Sequence, residues 1–475
     1  MVFSSIIFLF YFLPVFLACY YALPFKHATL LLFSLFFYAW GEVQYTYVML
    51  GSIVVNYGLG LWIDGQEGRG RKVAVGAAVA VNLAALGWFK YAAFLHGVGA
   101  DVLPQVFSGP APQVHLPLGI SFFTFHAISY LVDVYRREVP AERSIVYLAV
   151  YITMFPQLVA GPIIRFHDIR DEIHQRRVTP DLFTEGVQIF VLGLAQKVLI
   201  ANVVAQPADQ IFALDPGQLS TALAWFGALL YTLQIYFDFC GYSTMAIGLG
   251  LMMGFHFPLN FDHPYIARSI TEFWRRWHIS LSTWFRDYVY IPLGGNRHGP
   301  LTTYRNLVLV FFLCGLWHGA AWTFVVWGLY HGFFLVLERV GLARVLGRLA
   351  PPLRHLYAIL VIMVGWVFFR ADNLTHAGTF LSAMAGFGAS GAPALRTYAT
   401  GEVWTAVVIG CIAATPSFRF AAQMLRGRLL AFRGGQAAVI GAGEVVYVAG
   451  LVAILAFAAM RLAAGTYNPF IYFRF

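Results

Sequence analysis

The stretch MVFSSIIFLFYFLPVFLACYYALPF, residues 1–25, carries no charged side chain. About 20 apolar residues in helical form cross the hydrocarbon core of a bilayer, so this segment reads as a first membrane span. No cationic segment precedes it and no soluble domain follows, so it is expected to be retained rather than cleaved as a leader. Residues 43–63 and 437–460 repeat the pattern, and similar runs recur between them. Of 475 residues, 60% are hydrophobic, 17% aromatic and 11% charged, against about 25% charged in a soluble domain. That composition excludes an ordinary water-soluble enzyme. Thirty-one Lys and Arg against 22 Asp and Glu leave a net charge of +9, but 44 Phe outnumber either class. So sparse a basicity does not suit nucleic acid, and the partner surface is a lipid membrane. The expected fold is an all-α polytopic membrane protein, a multi-span helical bundle, with residues 1–475 as one integral membrane domain. No internal repeat and no soluble domain boundary are legible.

Lys and Arg between spans mark the cytoplasmic side. They cluster at Arg69, Arg71 and Lys72; at Arg136, Arg137 and Arg143; at Arg165, Arg170, Arg176 and Arg177; from Arg268 to Arg305; at Arg339, Arg344, Arg348 and Arg354; and at Arg419, Arg426, Arg428 and Arg433. Residues 96–115 and 207–218 lack Lys and Arg and should face outward. The apolar run 144–164 lies between two cytoplasmic clusters, so it should dip into the membrane and return. Pro156, Gly161 and Pro162 interrupt it, as expected of irregular backbone that is tolerated at membrane depth only inside protein. Residues 306–338 are too few for two comfortable spans and read as two tilted or broken helices. About eight to ten crossings and two interrupted elements result, and broken helices often build the working site of a bundle.

Ionisable groups at membrane depth are costly, so each is a functional candidate. Residues 269–290 read as one amphipathic helix: Ser269 and Glu272 form a capping-box pair, and Trp274, Trp277, His278, Leu281, Trp284 and Tyr288 share a stripe. Arg275, Ser282 and Arg286 share another face, suited to lipid headgroups or to an anionic ligand. In Cys314-Gly315-Leu316-Trp317-His318-Gly319, His318 is the sharper candidate. Its imidazole can take a proton from a hydroxyl that attacks a carbonyl, and no Asp or Glu lies nearby in sequence to do so. Gly315 and Gly319 are expected to leave room for a substrate beside it. A structural, hydrogen-bonded histidine is the alternative for both His278 and His318. Cys314, one helical turn before His318, is better read as a small apolar residue than as an acyl-accepting thiolate. Asp238 lies in a stretch, 198–267, without Lys or Arg, so a hydrogen bond must satisfy it. The four cysteines show no C-x-x-C spacing and the 14 histidines no H-x-x-x-H, so no metal is expected. With no phosphate-cradling Gly-rich motif, ATP-driven pumping is disfavoured.

The block Glu272-Phe273-Trp274-Arg275-Arg276-Trp277-His278-Ile279-Ser280-Leu281-Ser282 continues into Trp284-Phe285-Arg286-Asp287-Tyr288 and Ile291-Pro292-Leu293-Gly294-Gly295-Asn296-Arg297. With Gly315-Leu316-Trp317-His318-Gly319 it resembles the membrane-bound O-acyltransferase (MBOAT) family, specifically its bacterial alginate O-acetyltransferase branch. Similar blocks occur at 116–122, 155–162, around Asp238 and at 468–475. Cys240 and Thr244 depart from the Ser and Asp expected there, which puts a proton relay through that segment in doubt. The resemblance implies a funnel around a central histidine, with the residue matching His318 catalytic and that matching His278 supporting it. It implies a multi-pass protein of the bacterial inner membrane that passes acetyl groups from a cytoplasmic thioester, acetyl-CoA, towards O-acetylation of an exopolysaccharide. No bound cofactor is expected, and acetyl-CoA is a substrate. Arg275, Arg276, Arg286, Trp274, Trp277, Trp317 and Asp238 are the candidate substrate-binding residues, lipid headgroups explaining the arginines equally well. In the alginate systems it resembles, separate periplasmic acetyltransferase proteins complete the transfer to sugar.

A transporter of an acetyl donor or small anion is the reading from another class. It would tolerate Gln at position 318, whereas a general base would not. A relative acting on peptidoglycan, cellulose or a protein would keep the chemistry and change the acceptor.

Overall fold

The computed structural model describes residues 1–418, 420, 421, 424 and 436–471. Arg419, Arg426, Arg428 and Arg433, and residues 472–475 of the C-terminal block, lie outside the described residues. Eight described helices are long and apolar enough to cross a bilayer, from Thr46–Asp64 to Gly443–Ala463. Phe8–Ala22, Lys26–Ala39 and Gly401–Ala413 are shorter apolar helices. The protein is thus an all-α polytopic membrane protein. The opening apolar run forms a shorter helix than expected, because its first residues turn inward: Phe3 is fully buried, its ring 4.3 Å from that of Tyr242.

Burial sorts the helices. The apolar window of Thr221–Met252 is 89% buried and that of Gly443–Ala463 only 6%. The first is the axis of the bundle, and the second presents its side chains to lipid.

The basic clusters meet at one end. Arg143 pairs with Asp64 at 3.0 Å and Arg165 with Asp287 at 2.6 Å. Arg71 Nε donates to the Tyr135 carbonyl, and Glu338 accepts from the Ile270 and Thr271 amides. At the opposite end of the Thr46–Asp64 helix, Glu42 pairs with His115, in one of the loops expected outside. The other expected outer loop begins later than read, because Pro207 lies inside a helix that ends at Phe212.

Arg143 and Arg165 flank the run 144–164, so both its ends lie at the basic face. The chain enters as Ile145–Thr153, turns through Phe155–Leu158 and comes back. Tyr151 donates to the Ile164 carbonyl at 2.9 Å across the returning limb, and residues 148–164 are all buried. This is the re-entrant element read from its flanking charges.

Two elements differ from expectation. Residues 269–290 are not one helix but Ile270–Arg276 and Ile279–Phe285, broken at Trp277-His278, where His278 takes a left-handed φ of 45°. Ser269 does cap the Glu272 amide, but the Glu272 carboxylate accepts from the Arg268 amide, one residue outside the expected box. The hairpin around His318 is longer than its flanking arginines suggested. Pro300–His318 and Trp322–Arg348 are both of span length, because Arg305 and Arg339 lie within helices.

At the basic face His167 lies between carboxylates, with Nδ1 2.9 Å from Asp133 and Nε2 3.2 Å from Asp168. These bonds raise its pKa to about 9, that to Asp133 contributing most, and the pairing holds Asp168 down at about 2. Asp133, Glu138 and His167 bring their ligand atoms within 4.8 Å of one another. The trio also forms an ion-pair network, with His167 Nδ1 3.6 Å from Glu138. A histidine whose pKa rises on folding stabilises fully below its unfolded value near 6.5, and that contribution disappears as pH climbs through about 9. Thermal unfolding in detergent should therefore show wild type losing its advantage over His167→Gln between those pH values. An advantage unchanged up to pH 10 would contradict the pairing.

Candidate active site

His318 is the last residue of Pro300–His318, and close helix packing fixes its position. A Cβ on Gly315 would lie 2.4 Å from the Phe324 carbonyl oxygen, and one on Gly328 would lie 2.2 Å from that of Phe311. Only glycine allows the two arms of the hairpin to approach so closely. Gly315 and Gly319 therefore do not make room for a substrate, contrary to the expectation from sequence. The facing helix takes that space, and a Cβ on Gly319 would meet the Phe324 ring at 2.2 Å.

The ring of His318 has a defined tautomer. Nδ1 lies 2.7 Å from the carbonyl oxygen of Cys314. A carbonyl only accepts, so Nδ1 carries the hydrogen and Nε2 the lone pair. The Cys314 thiol is buried, with Sγ 3.8 Å from the same Nδ1. Trp317 and Trp327 stand edge-on to the imidazole at 4.9 and 4.8 Å between ring centres.

His278 is reached through Trp317, whose ring centre is 6.0 Å from its own. Its Nδ1 meets Asn260 Oδ1 at 3.1 Å, and that oxygen also accepts from the Ser280 amide and hydroxyl. The backbone donor identifies the Asn260 atom as oxygen, so His278 too carries its hydrogen on Nδ1. Its Nε2 is buried with no hydrogen-bond partner among the described residues. Ser280 Oγ in turn accepts from the Ile163 amide of the re-entrant element. Three segments distant in sequence thus hold the left-handed turn at His278.

Two cavities touch His318. The larger, about 290 Å³, runs past Trp317, Ser121 and Lys90 to Glu42 and His115 at the end remote from the basic clusters. Lys90 Nζ donates to the Trp317 carbonyl at 2.5 Å, the His318 carbonyl at 3.3 Å and Ser121 Oγ at 3.2 Å. It satisfies carbonyls left open at the helix C-terminus, where a cation is favoured. The smaller cavity lies among Trp277, Trp327, Trp366 and Phe369.

The structure therefore gathers His318, His278, Trp317 and Trp277 into one aromatic centre. Trp274 is one ring further out, 5.8 Å from Trp327. Neither cavity is lined by the three candidate arginines. Arg276 is paired with Asp262 and Glu272, Arg286 with Asp287, and Arg275 is exposed. Asp238 is satisfied by charge as well as by a hydrogen bond: Lys197 Nζ lies 2.7 Å from Oδ1, and the Ile471 amide donates to Oδ2 at 2.9 Å. Lys197 stands one residue outside the stretch, 198–267, that lacks Lys and Arg. Lys90 and Asn260 were missed. Lys90 was detectable as a cation within an apolar run, whereas Asn260 gave no local signal.

The sequence profile described as MBOAT, membrane-bound O-acyltransferase family, matches residues 83–371, which hold both histidines and the whole aromatic centre. The chain belongs to the membrane-bound O-acyltransferase family. A probable alginate O-acetylase AlgI of Azotobacter vinelandii is 44% identical over all of both chains. One of Pseudomonas aeruginosa is 48% identical over 82% of this chain and 75% of its own. A peptidoglycan O-acetyltransferase of Helicobacter pylori is 37% identical over 81% of this chain and 80% of its own. This MBOAT protein is an O-acyltransferase of the multi-pass membrane class, and the transporter reading is set aside.

Proposed function

We propose that this O-acyltransferase lies in a bacterial inner membrane and passes acetyl groups from a cytoplasmic thioester, acetyl-CoA, to an acceptor that serves O-acetylation of an exopolysaccharide such as alginate. The observation that carries the reading is the tautomer of His318 at the base of the larger cavity: a ring pinned through Nδ1 offers Nε2 as the base. An acceptor hydroxyl in that cavity gives its proton to Nε2 as its oxygen attacks the thioester carbonyl, and the thiolate leaves. His278 acts through Trp317 as a positioning residue. The names of the relatives support acetyl as the group and a polysaccharide as the destination. Separate periplasmic acetyltransferases are the expected partners that take the group onward to the polymer. Arg275 and Arg286, at the basic face and away from His318, suit lipid headgroups or the phosphates of the donor on its approach.

Sealed vesicles of both orientations, given labelled acetyl-CoA outside, test donor and direction together. Vesicles with the basic loops outward should release CoA thiol and acylate an enclosed acceptor, and right-side-out vesicles should not. Equal turnover in both would refute the assigned side.

A further inference from the structure

The smaller cavity at His318 has no role in the transfer as described so far. Its volume is about 20 Å³, bounded by Ile235, Phe239, Trp277, Trp327, Trp366 and Phe369 together with the imidazole and Ile471. A water-sized group needs about 10–15 Å³ on this measure, so one methyl-sized group fits and a chain does not. Trp327 and Phe369 stand 4.8 and 5.3 Å from the imidazole, and Trp366 lies behind them at 6.0 and 5.6 Å. Trp327 is fully buried, and its Nε1–H has no acceptor among the described residues. Burying an unsatisfied N–H is costly, so an open donor on a residue that lines a cavity is a place for an oxygen that arrives with a ligand.

We propose that this cavity is the acyl pocket. It takes the methyl of a two-carbon acyl thioester, Trp366 and Phe369 set the length limit, and the Trp327 Nε1–H donates to the carbonyl oxygen as negative charge builds on it. The inference rests on His318 being the base of acyl transfer. In the step, the acceptor oxygen bonds to the carbonyl carbon and its proton passes to Nε2 of His318. The C–S bond then breaks as the carbonyl re-forms, and the departing thiolate takes that proton. Trp327 gains and loses none. His318 then faces the acceptor in the larger cavity and the acyl group in the smaller one.

The full-length protein in lipid nanodiscs, with acetyl-, propionyl- and butyryl-CoA, the polysaccharide and its periplasmic acetyltransferase partner, tests this through CoA thiol release. Each methylene that a filled apolar pocket must reject is worth about 10- to 200-fold in rate, so the wild type should strongly favour acetyl. Phe369→Ala should raise the butyryl-to-acetyl ratio about 10-fold or more. Trp366→Phe is the gentler variant if Phe369→Ala lowers folded yield, and should raise the propionyl ratio. Trp327→Phe keeps the wall and deletes the donor, and should lower kcat about 100-fold or more with the acyl preference unchanged. Folded size variants with the wild-type ratio would overturn the pocket, and full kcat in Trp327→Phe would overturn its donor. Turnover persisting in His318→Gln would instead overturn the base assignment.

Discussion

His318→Gln yields a protein that reaches the membrane at normal abundance and leaves the polysaccharide without acetyl esters. The amide of Gln is close in size to imidazole, and its NH2 can donate to the Cys314 carbonyl as Nδ1–H does now. What it lacks is a basic lone pair. A general base typically contributes about 10²- to 10⁴-fold, so acyl transfer by the purified variant should fall by at least the lower figure. The in vivo measurement is O-acetyl content per sugar at unchanged polymer yield. Acetylation above a tenth of wild type, with the protein at normal level, would remove His318 from the role of base.

The second large effect is on stability. Lys197 and Asp238 are 2% and 1% exposed, in the most buried part of the bundle. Removing one partner leaves the other charge buried and unpaired, which costs about 3–5 kcal/mol. Lys197→Met should therefore lower the thermal transition of the detergent-solubilised protein sharply and reduce its abundance in the membrane. Lys197→Met combined with Asp238→Leu should recover part of the loss, since two apolar side chains leave no bare charge. Recovery will be incomplete, because Lys197 also donates to Asn202 and to the Pro469 carbonyl, and Asp238 accepts from the Ile471 amide. A single variant as stable as wild type would show that the pair does not hold the C-terminal segment.

Much of this was legible along the chain because the bilayer imposes a simple grammar. Apolar length marks spans and basic residues mark a face, and from these two signals the re-entrant element at 144–164 followed. What failed did so for physical reasons. The break at His278 was hidden because Trp274, Trp277, Leu281 and Trp284 keep helical spacing across it, while its cause, Asn260, lies 18 residues away. The hairpin looks too short in the sequence because Arg305 and Arg339, its apparent limits, lie inside its helices, whereas Gly299-Pro300 marks the true start of the first. Lys197 was missed by one position, since the search for Asp238's partner followed the chain and the partner stands on a neighbouring helix. The two histidines were legible from the Trp/Arg/His and Trp-His-Gly blocks that hold them, since burial alone also marks His126 and His331. The unsatisfied indole of Trp327 was not, since tryptophan is commonplace in such a sequence.

The two spaces meet at His318, whose imidazole lines both. A continuous wet pore at this place would short-circuit the membrane, where each elementary charge falling through 100 mV releases about 2.3 kcal/mol. On the proposed mechanism, an acyl group that changes partners beside that imidazole by making and breaking bonds needs no such pore. On that mechanism the membrane stays electrically insulating while the transfer proceeds.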